Sequence, residues 1–185
     1  MADRKIAIIG GGASGLMAAI TAKRRGCDVT IFEKMQRVGK KLLSTGNGRC
    51  NITNENVLER DNNGKLLHYF GEDSSFAEFS LNEFSDKALL DFFNLLGVLF
   101  ICENGKYYPY SETASTILDV LRLYCEKLDI KIVVDADVKE ITEKDGKFTV
   151  LGEKFDKVII ACGGMSSPHL GTDGYGYKLQ GFPST

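Results

Sequence analysis

The sequence predicts an α/β fold of the Rossmann-like type, in which helices cover a parallel sheet. The main observation is a strand, a glycine-rich turn, a helix and a second strand in succession within the first 33 residues. The composition agrees, since 43% of the residues are hydrophobic and 26% are charged, as in ordinary globular domains. The 20 glycines among 185 residues also exceed the roughly 7% average.

The first predicted unit covers the N-terminal 33 residues. Residues 4–9 are typical of a short buried strand, which the three glycines at 10–12 stop. The pattern then becomes helical from Ser14 to about Arg25, and Gly26 is a natural C-terminal stop. Residues 28–33 form the second strand. Because a helix connects the two strands, we expect them to be parallel.

The remaining elements follow along the chain. Residues 34–54 are predicted to be a long polar loop, and about 55–75 a loop or insertion. Helices are predicted at about 76–82, 85–96 (ended by Gly97) and 113–128, with short strands flanking the hairpin signal Asn104-Gly105. Strands are predicted at 130–134, 137–142, 147–151 and 154–160, with a second hairpin at Asp145-Gly146. We therefore expect a parallel sheet, a β-meander and peripheral helices, with 157–161 as a buried parallel strand.

The glycine motif Gly10-x-Gly12-x-x-Gly15 lies between the first strand and the first helix. In such motifs the first glycine permits a tight turn, the second lets a pyrophosphate approach the backbone, and the third lets the helix pack on the sheet. Ser14 adds a hydroxyl donor, and Glu33, 18 positions after Gly15, is placed to accept hydrogen bonds from a ribose diol. A carboxylate there disfavours NADP, and both FAD and NAD remain open.

The loop 34–54 is strongly basic in a chain whose net charge is −2. Its five cations, with no acidic residue, are Lys34, Arg37, Lys40, Lys41 and Arg49. We expect this charge to neutralise phosphate. Its neutral polar side chains suit a ribityl chain or an isoalloxazine edge, and are Ser44, Thr45, Asn47 and Asn51. A solvated basic surface loop is the alternative, and a nucleic-acid patch is disfavoured because interleaved aromatic residues are absent.

Small residues follow the last predicted strand. Ala161, Gly163 and Gly164 let backbone pass near a bound nucleotide, although a plain strand end explains them equally well. The following stretch 171–176 is again rich in glycine, and its Asp173 is a candidate for binding a hydroxyl group. We expect the glycine clusters at 10–15, 39–48 (beginning with Gly39) and 163–181 to meet the cofactor.

The segment 38–54, VGKKLLSTGNGRCNITN, resembles the signature loop of the BaiN/RdsA-like family of FAD-dependent oxidoreductases. GKYYPYS at 105–111, the strand end 161–164 and GTDG at 171–174 are similar to that family as well. The resemblance implies a two-dinucleotide-binding-fold flavoprotein, with the adenine of FAD over the first βαβ unit. It implies that FAD is lined by Ala13, Ser14, Glu33, Lys34, Arg37, Lys41, Gly46 and Asn51. It also implies that Val138, on the strand before the meander, contacts adenine through its backbone.

The same resemblance bears on domain organisation and activity. Members of the family continue into an inserted substrate domain and a C-terminal segment that closes over the flavin. We therefore expect residues 1–185 to be the FAD-binding domain of a longer flavoprotein. That protein would pass hydride between NAD(P)H, FAD and a small organic substrate. An NAD-dependent dehydrogenase, disfavoured by the basic loop, and a truncated non-catalytic nucleotide-binding module are the alternatives, and no catalytic acid or base is assigned.

Charge and cysteine content exclude other classes. A pI near 5.8 favours neither a nucleic-acid binder nor an anionic-membrane binder. Five scattered cysteines without a C-x-x-C pair, and only two histidines, indicate no metal site and a cytoplasmic location. Four glycines interrupt the apolar N-terminal run, which disfavours a signal peptide. As minor candidates, Cys50 is expected to be an ordinary loop cysteine, His169 a surface residue, and the tyrosines to pack, namely Tyr107, Tyr108 and Tyr110.

Overall fold

The computed structural model describes residues 4–69, 74–171 and 173–179. In chain order the strands and helices are β1 (Lys5–Ile9), α1 (Ala13–Arg24), β2 (Asp28–Phe32), β3 (Thr53–Asn54), α2 (Glu78–Glu83), α3 (Asp86–Leu95), β4 (Phe100–Glu103), β5 (Lys106–Pro109), α4 (Ala114–Lys127), β6 (Lys131–Val133), β7 (Ile141–Lys144), β8 (Lys147–Val150), β9 (Glu153–Phe155), β10 (Lys157–Ile160) and α5 (Tyr175–Leu179). The chain divides into two compact units. We call residues 1–43 with 121–185 the sheet unit, and residues 44–120 the hairpin unit.

The sheet unit is built on a four-stranded parallel sheet with the order β10-β1-β2-β6. Ile8 at its centre is paired with Ile31 of β2 and Ile159 of β10. Ile8 and Ile31 are fully buried, as are Leu16 and Ile20 of α1. The parallel pairing predicted for the first βαβ unit is confirmed, and so is its helix, which ends beside Gly26 at φ +80°. Burial of these branched side chains is the main stabilising contribution.

Two strand predictions near the meander are wrong. The predicted strand 154–160 is two strands, because β9 belongs to the antiparallel meander β7-β8-β9 and β10 to the parallel sheet. The break falls at Asp156, whose carboxylate accepts the Lys5 N–H at 2.8 Å and whose own N–H donates to the Lys5 carbonyl. These contacts fix the chain where it passes from one sheet to the other. β10 is not buried throughout, since it is the last strand of the sheet and Ile159 is 37% exposed.

The segment between β6 and β7 also differs from the prediction. Strand β7 begins only at Ile141, so 137–140 form no strand and Val138 does not lie on one. Val138 is nevertheless buried, packed in a cluster with Phe32 and Phe155. The two rings meet edge to face, with 5.8 Å between their centroids. The apolar side chain of Val138 is therefore explained by packing on the sheet rather than by strand pairing.

The hairpin unit contains an antiparallel sheet with the order β3-β5-β4. The hairpin predicted at Asn104-Gly105 is confirmed, with φ of 51° and 79° as a type I′ turn requires. Helix α3 begins at the predicted position, where the Ser85 hydroxyl accepts the Ala88 N–H at 3.2 Å. Gly97 ends it at φ +89°. Helix α4 carries the chain from the hairpin unit back into the sheet unit.

Two further features concern the classes excluded above. In the described ranges no helix has the length and apolar character needed to cross a bilayer. Over those same ranges, no group of three or more His, Cys, Asp or Glu side chains is arranged to hold a metal ion. All five cysteines are free.

Candidate functional site

The glycine turn in the sheet unit joins β1 to α1 in very little space. Gly10 has φ +106° and donates its N–H to the Phe32 carbonyl at 2.8 Å. A Cβ on Gly10 would lie 2.5 Å from the Ala161 carbonyl oxygen, and one on Gly15 only 1.9 Å from that of Gly10. Both contacts are with backbone, which has no rotamer to move away. The structure thus gives Gly10 and Gly15 the tight-turn and close-packing roles that the motif predicts.

Gly12 differs from these two glycines. It is the N-cap of α1 with φ −76°, and a Cβ built on it would meet nothing within 4 Å. The next two residues, Ala13 and Ser14, are exposed. The first N–H groups of a helix lack intrahelical partners, and the helix dipole makes this end positive. The turn therefore presents open space and backbone donors together, which suits an anionic group such as a diphosphate.

Glu33 lies directly beside this turn. Its Oε2 accepts the Gly11 N–H at 2.7 Å, and its Oε1 accepts the Met35 N–H at 2.8 Å. The side chain thus ties the glycine turn to the chain leaving β2. Each carboxylate oxygen has two lone pairs, so both retain an acceptor site for a ligand hydroxyl. The spacing of Glu33 from the glycines predicted its position, but not this clamp on the backbone.

The loop after β2 folds back over the same turn. Gly39 donates its N–H to the Gly11 carbonyl at 2.8 Å. Buried Val38 packs so closely that a Cβ on Gly11 would lie 2.4 Å from its Cγ1. Sequence reasoning missed Gly11 and Val38, although a third consecutive glycine was a signal that something approaches the turn closely. The predicted cofactor residue Gly39 therefore lies next to the glycine turn.

Lys34 and Asp173, both predicted cofactor residues, contact each other. Lys34 Nζ lies 2.9 Å from Asp173 Oδ2. This hydrogen bond holds the pKa of the Asp173 carboxyl below its usual value. Both side chains are partly exposed, so the pair contributes little to stability but places opposite charges side by side.

Two more lysines of the basic loop reach the same C-terminal stretch. Lys41 Nζ donates to the Ser166 carbonyl at 2.8 Å and to its hydroxyl at 2.9 Å, and Lys40 Nζ donates to the His169 carbonyl at 3.3 Å. Arg37 is exposed, and so is His169, as expected for a surface histidine. Lys40 and Lys41, which are predicted to neutralise phosphate, thus also bind His169 and Ser166.

The end of β10 lies against the glycine turn. Ala161 donates its N–H to the Ile9 carbonyl at 2.8 Å, and its Cβ would be 3.5 Å from a Cβ on Gly15. Cys162 donates its thiol to the same carbonyl at 3.4 Å, and burial raises its pKa to about 11. Gly163 has φ +74°, and the Gly164 carbonyl accepts the Gly174 N–H at 3.1 Å. The structure therefore brings the small residues after β10 together with the glycine motif.

The other predicted site residues form a compact loop in the hairpin unit. Ser44, Thr45, Gly46, Asn47 and Asn51 are all exposed. The chain turns sharply here, because Gly46 and Asn47 have φ of 54° and 56°. Cys50 donates its N–H to the Thr45 carbonyl at 3.0 Å, which closes the loop. These five residues belong to the same short loop of one unit.

Arg49 differs from its predicted role as a phosphate-neutralising cation. Its Nη1 and Nη2 each lie 2.9 Å from a carboxylate oxygen of Glu103, and Nη2 lies 3.0 Å from Glu112. The guanidinium also sits 4.2 Å from the centre of the Tyr108 ring. These bonds raise the pKa of Arg49 and lower that of Glu103. Two carboxylates within the hairpin unit therefore already neutralise this charge.

The minor candidates behave as follows. Cys50 is buried, and this burial raises the pKa of its thiol, which argues against a reactive thiolate. Tyr107 and Tyr108 are half-buried, as expected for packing residues, and burial raises the pKa of Tyr107. The packing expected of Tyr110 is wrong, because that side chain is 70% exposed.

Comparisons with known proteins agree with this geometry. The sequence profile of the HI0933-like protein Rossmann domain family matches residues 4–181. The chain is 40% identical over 181 residues to the 3-dehydro-bile acid delta(4,6)-reductase of Clostridium scindens. This alignment covers 95% of this chain and 42% of the relative. It is 28% identical over 183 residues to the ribosomal RNA dihydrouridine synthase of Haemophilus influenzae, covering 93% and 43%. The chain thus spans less than half the length of these curated relatives.

A solved structure supports the fold independently. The open conformation of a flavocytochrome c3 fumarate reductase superposes with a TM-score of 0.65 at 15% identity, covering 97% of this chain and 40% of that one. At such low identity the similarity shows the fold alone. The α/β Rossmann-like architecture predicted from the glycine motif is confirmed by this superposition, by the profile match and by the parallel sheet.

Proposed function

Because this chain belongs to the HI0933-like protein Rossmann domain family, we propose that it is the FAD-binding part of a flavin-dependent oxidoreductase. The observation that carries the proposal is the open space at Gly12, at the N-terminus of α1, with the Glu33 carboxylate beside it. This pairing of anion donors with a hydroxyl acceptor fits the diphosphate and the ribose of a dinucleotide.

The residues that would hold the cofactor divide by the part of FAD they suit. The backbone of the glycine turn and the Ser14 hydroxyl would bind the diphosphate, and Glu33 the adenosine ribose. Lys34 and Arg37 would balance phosphate charge. In the hairpin unit, the exposed amides of Asn47 and Asn51 suit a ribityl chain or the edge of an isoalloxazine ring.

FAD, when bound, supplies the hydride-transfer chemistry, and the protein positions it. We propose NAD(P)H as the reductant and a small organic molecule as the substrate, in a cytoplasmic enzyme. The two curated relatives described above are named for different substrates, a bile acid derivative and ribosomal RNA. No side chain of the described ranges is assigned as catalytic acid or base.

The carboxylate of Glu33 and the polar loop 44–51 distinguish FAD from the competing ligands. NADP is disfavoured because Glu33 would face a 2′-phosphate. The amide and hydroxyl groups of the loop 44–51 suit a ribityl chain and a flavin ring. NAD has neither of these parts. Visible absorption of the purified chain titrated with FAD tests the assignment. A saturable change in the flavin band supports it, and binding of AMP or NAD without any binding of FAD would refute it.

Replacing Glu33 with alanine tests the ribose contact. We expect FAD to bind about tenfold or more weakly, because hydrogen bonds to a charged group contribute roughly 1.5–3 kcal/mol each. Isothermal titration calorimetry measures the change. Glu153→Ala is the matched control, since this exposed carboxylate of β9 pairs with Lys131 of β6 at 3.3 Å and is not among the predicted site residues. Equal FAD affinity in Glu33→Ala and the control would show that Glu33 does not bind the ribose of FAD.

A further inference from the structure

The loop 44–51 of the hairpin unit holds an unfavourable backbone conformation. Gly46, Asn47, Gly48 and Cys50 all have φ between 54° and 87°, in the left-handed region. Asn47 and Cys50 carry side chains, and the left-handed conformation is unfavourable for residues other than glycine. A residue with a side chain cannot replace Gly46 without displacing the loop, because its Cβ would lie 2.5 Å from the Asn51 backbone nitrogen. Such a loop keeps its shape only where other contacts hold it.

The side chain of Arg49 makes several contacts within the hairpin unit. Its planar guanidinium makes a two-pronged bond to Glu103 of β4, with both distances 2.9 Å, and a third bond to Glu112. The Tyr108 ring of β5 covers one face of the group. The Nε atom of Arg49 is buried and has no hydrogen-bond partner in the ranges that the structure describes. A fork of this kind fixes orientation as well as distance, which a lysine cannot do.

The backbone that follows Arg49 is anchored to the same hairpin. Ile52 donates its N–H to the Tyr107 carbonyl at 2.9 Å, and Thr53 pairs with Tyr107 in the sheet. The β4–β5 hairpin is therefore a platform for this loop. Arg49 connects the left-handed loop to this platform, and Ile52 connects the residues that follow the loop to the same platform.

From this arrangement we infer that Arg49 is a positioning residue, which holds the loop 44–51 in the conformation in which the exposed amides of Asn47 and Asn51 bind a flavin. The inference rests on the proposed FAD-binding function. It gives Arg49 no contact with phosphate, because Glu103 and Glu112 already hold its guanidinium. Arg49 acts through Asn47 and Asn51, whose exposed amides depend on the loop backbone for their direction.

Variants of Arg49 test this inference in the 185-residue chain. In Arg49→Met we expect hydrogen exchange of the Cys50 amide to accelerate by about tenfold or more, because its bond to the Thr45 carbonyl closes the loop. The Tyr110 amide, bonded to the Leu99 carbonyl in the same unit, is the internal reference and should exchange as before. Unchanged exchange at Cys50 would overturn the inference.

FAD affinity and the flavin spectrum give the second measurement. We expect Arg49→Met to weaken FAD binding about tenfold and to shift the flavin absorption bands, with partial recovery in Arg49→Lys. The matched control is Arg60→Met, which breaks an exposed ion pair with Glu78 in the same unit. Its affinity and spectrum should equal those of the unsubstituted chain.

The outcomes separate the two proposals. If the unsubstituted chain binds FAD and Arg49→Met binds it with the same affinity and spectrum, the inference fails and the proposed function stands. If the unsubstituted chain does not bind FAD, the proposed function fails, and the link from Arg49 to the flavin fails with it. In that case amide exchange at Cys50 still decides whether Arg49 holds the loop. A lower melting temperature alone, with normal FAD binding, would show a merely structural role and overturn the inference.

Discussion

Replacing Gly15 with alanine puts a methyl carbon 1.9 Å from the carbonyl oxygen of Gly10. Ordinary contact begins near 3.4 Å, so the N-terminus of α1 must move away from the end of β1 by more than 1 Å. The obstructing atom is backbone, and Gly10 is itself held by its hydrogen bond to the Phe32 carbonyl. The strain therefore has no inexpensive route of release.

The magnitude of the Gly15→Ala effect follows from two opposing contributions. Overpacking a well-packed site costs about 1–3 kcal/mol, and contact with rigid backbone puts this case at about 3 kcal/mol. Alanine in a helix is more favourable than glycine by about 1 kcal/mol. We therefore expect a loss of about 2 kcal/mol in the free energy of unfolding, or about 4–8 °C in Tm for a chain of this size.

Chemical denaturation of the ligand-free chain, followed by far-UV circular dichroism, measures this loss. Gly12→Ala is the control, because its methyl group meets nothing within 4 Å and its φ of −76° suits alanine. We expect it to lose only about 0.5 kcal/mol, from the weaker N-cap. It should instead weaken FAD binding, since the methyl group occupies the space proposed for the diphosphate. A Gly15→Ala chain as stable as the unsubstituted one would refute the packing argument.

Two further predictions concern titratable groups. At pH 8, iodoacetamide should label the exposed Cys102 at least about tenfold faster than Cys125 or Cys162. The reason is that burial raises the pKa of the Cys125 and Cys162 thiols to about 11. Mass spectrometry measures the labelling rates, and equal rates would contradict this prediction. The second concerns Asp173, whose pKa is lowered from 3.8 by the hydrogen bond from Lys34. Its stabilising contribution is present above pH 3.8 and is lost as pH falls through the folded-state pKa. Lys34→Met should raise the midpoint measured by carboxyl-carbon NMR, and an unchanged midpoint would rule out the pair in solution.

Much of the fold could be predicted because its signals are local. The alternation of strand, glycine turn and helix located β1, α1 and β2 within one or two residues. The pairs Asn104-Gly105 and Asp145-Gly146 located both hairpins, since each residue there has φ between 51° and 79°. Backbone preferences of this kind belong to one or two residues and need no knowledge of distant contacts.

Predictions failed where a distant contact decided the structure. The run 154–160 has the pattern of one strand, and it is divided by bonds between Asp156 and Lys5, which are 151 positions apart. No local pattern separates a strand of the meander from a strand of the parallel sheet when only Asp156 lies between them. The exposure of Ile159 has the same origin, because its position at the end of the sheet depends on strand order.

The site shows the same division between local and distant information. The sequence by itself determined the glycine turn, the position of Glu33 and the polar, basic character of the loop after β2, because motif spacing and composition encode them. Only the tertiary structure decided that Lys34 meets Asp173 and that Arg49 meets Glu103. A charge acts over a few ångströms, so its role depends on which distant segments the fold brings within that range. Spacing in the sequence identifies the charged groups, and the folding within each unit decides which of them pair.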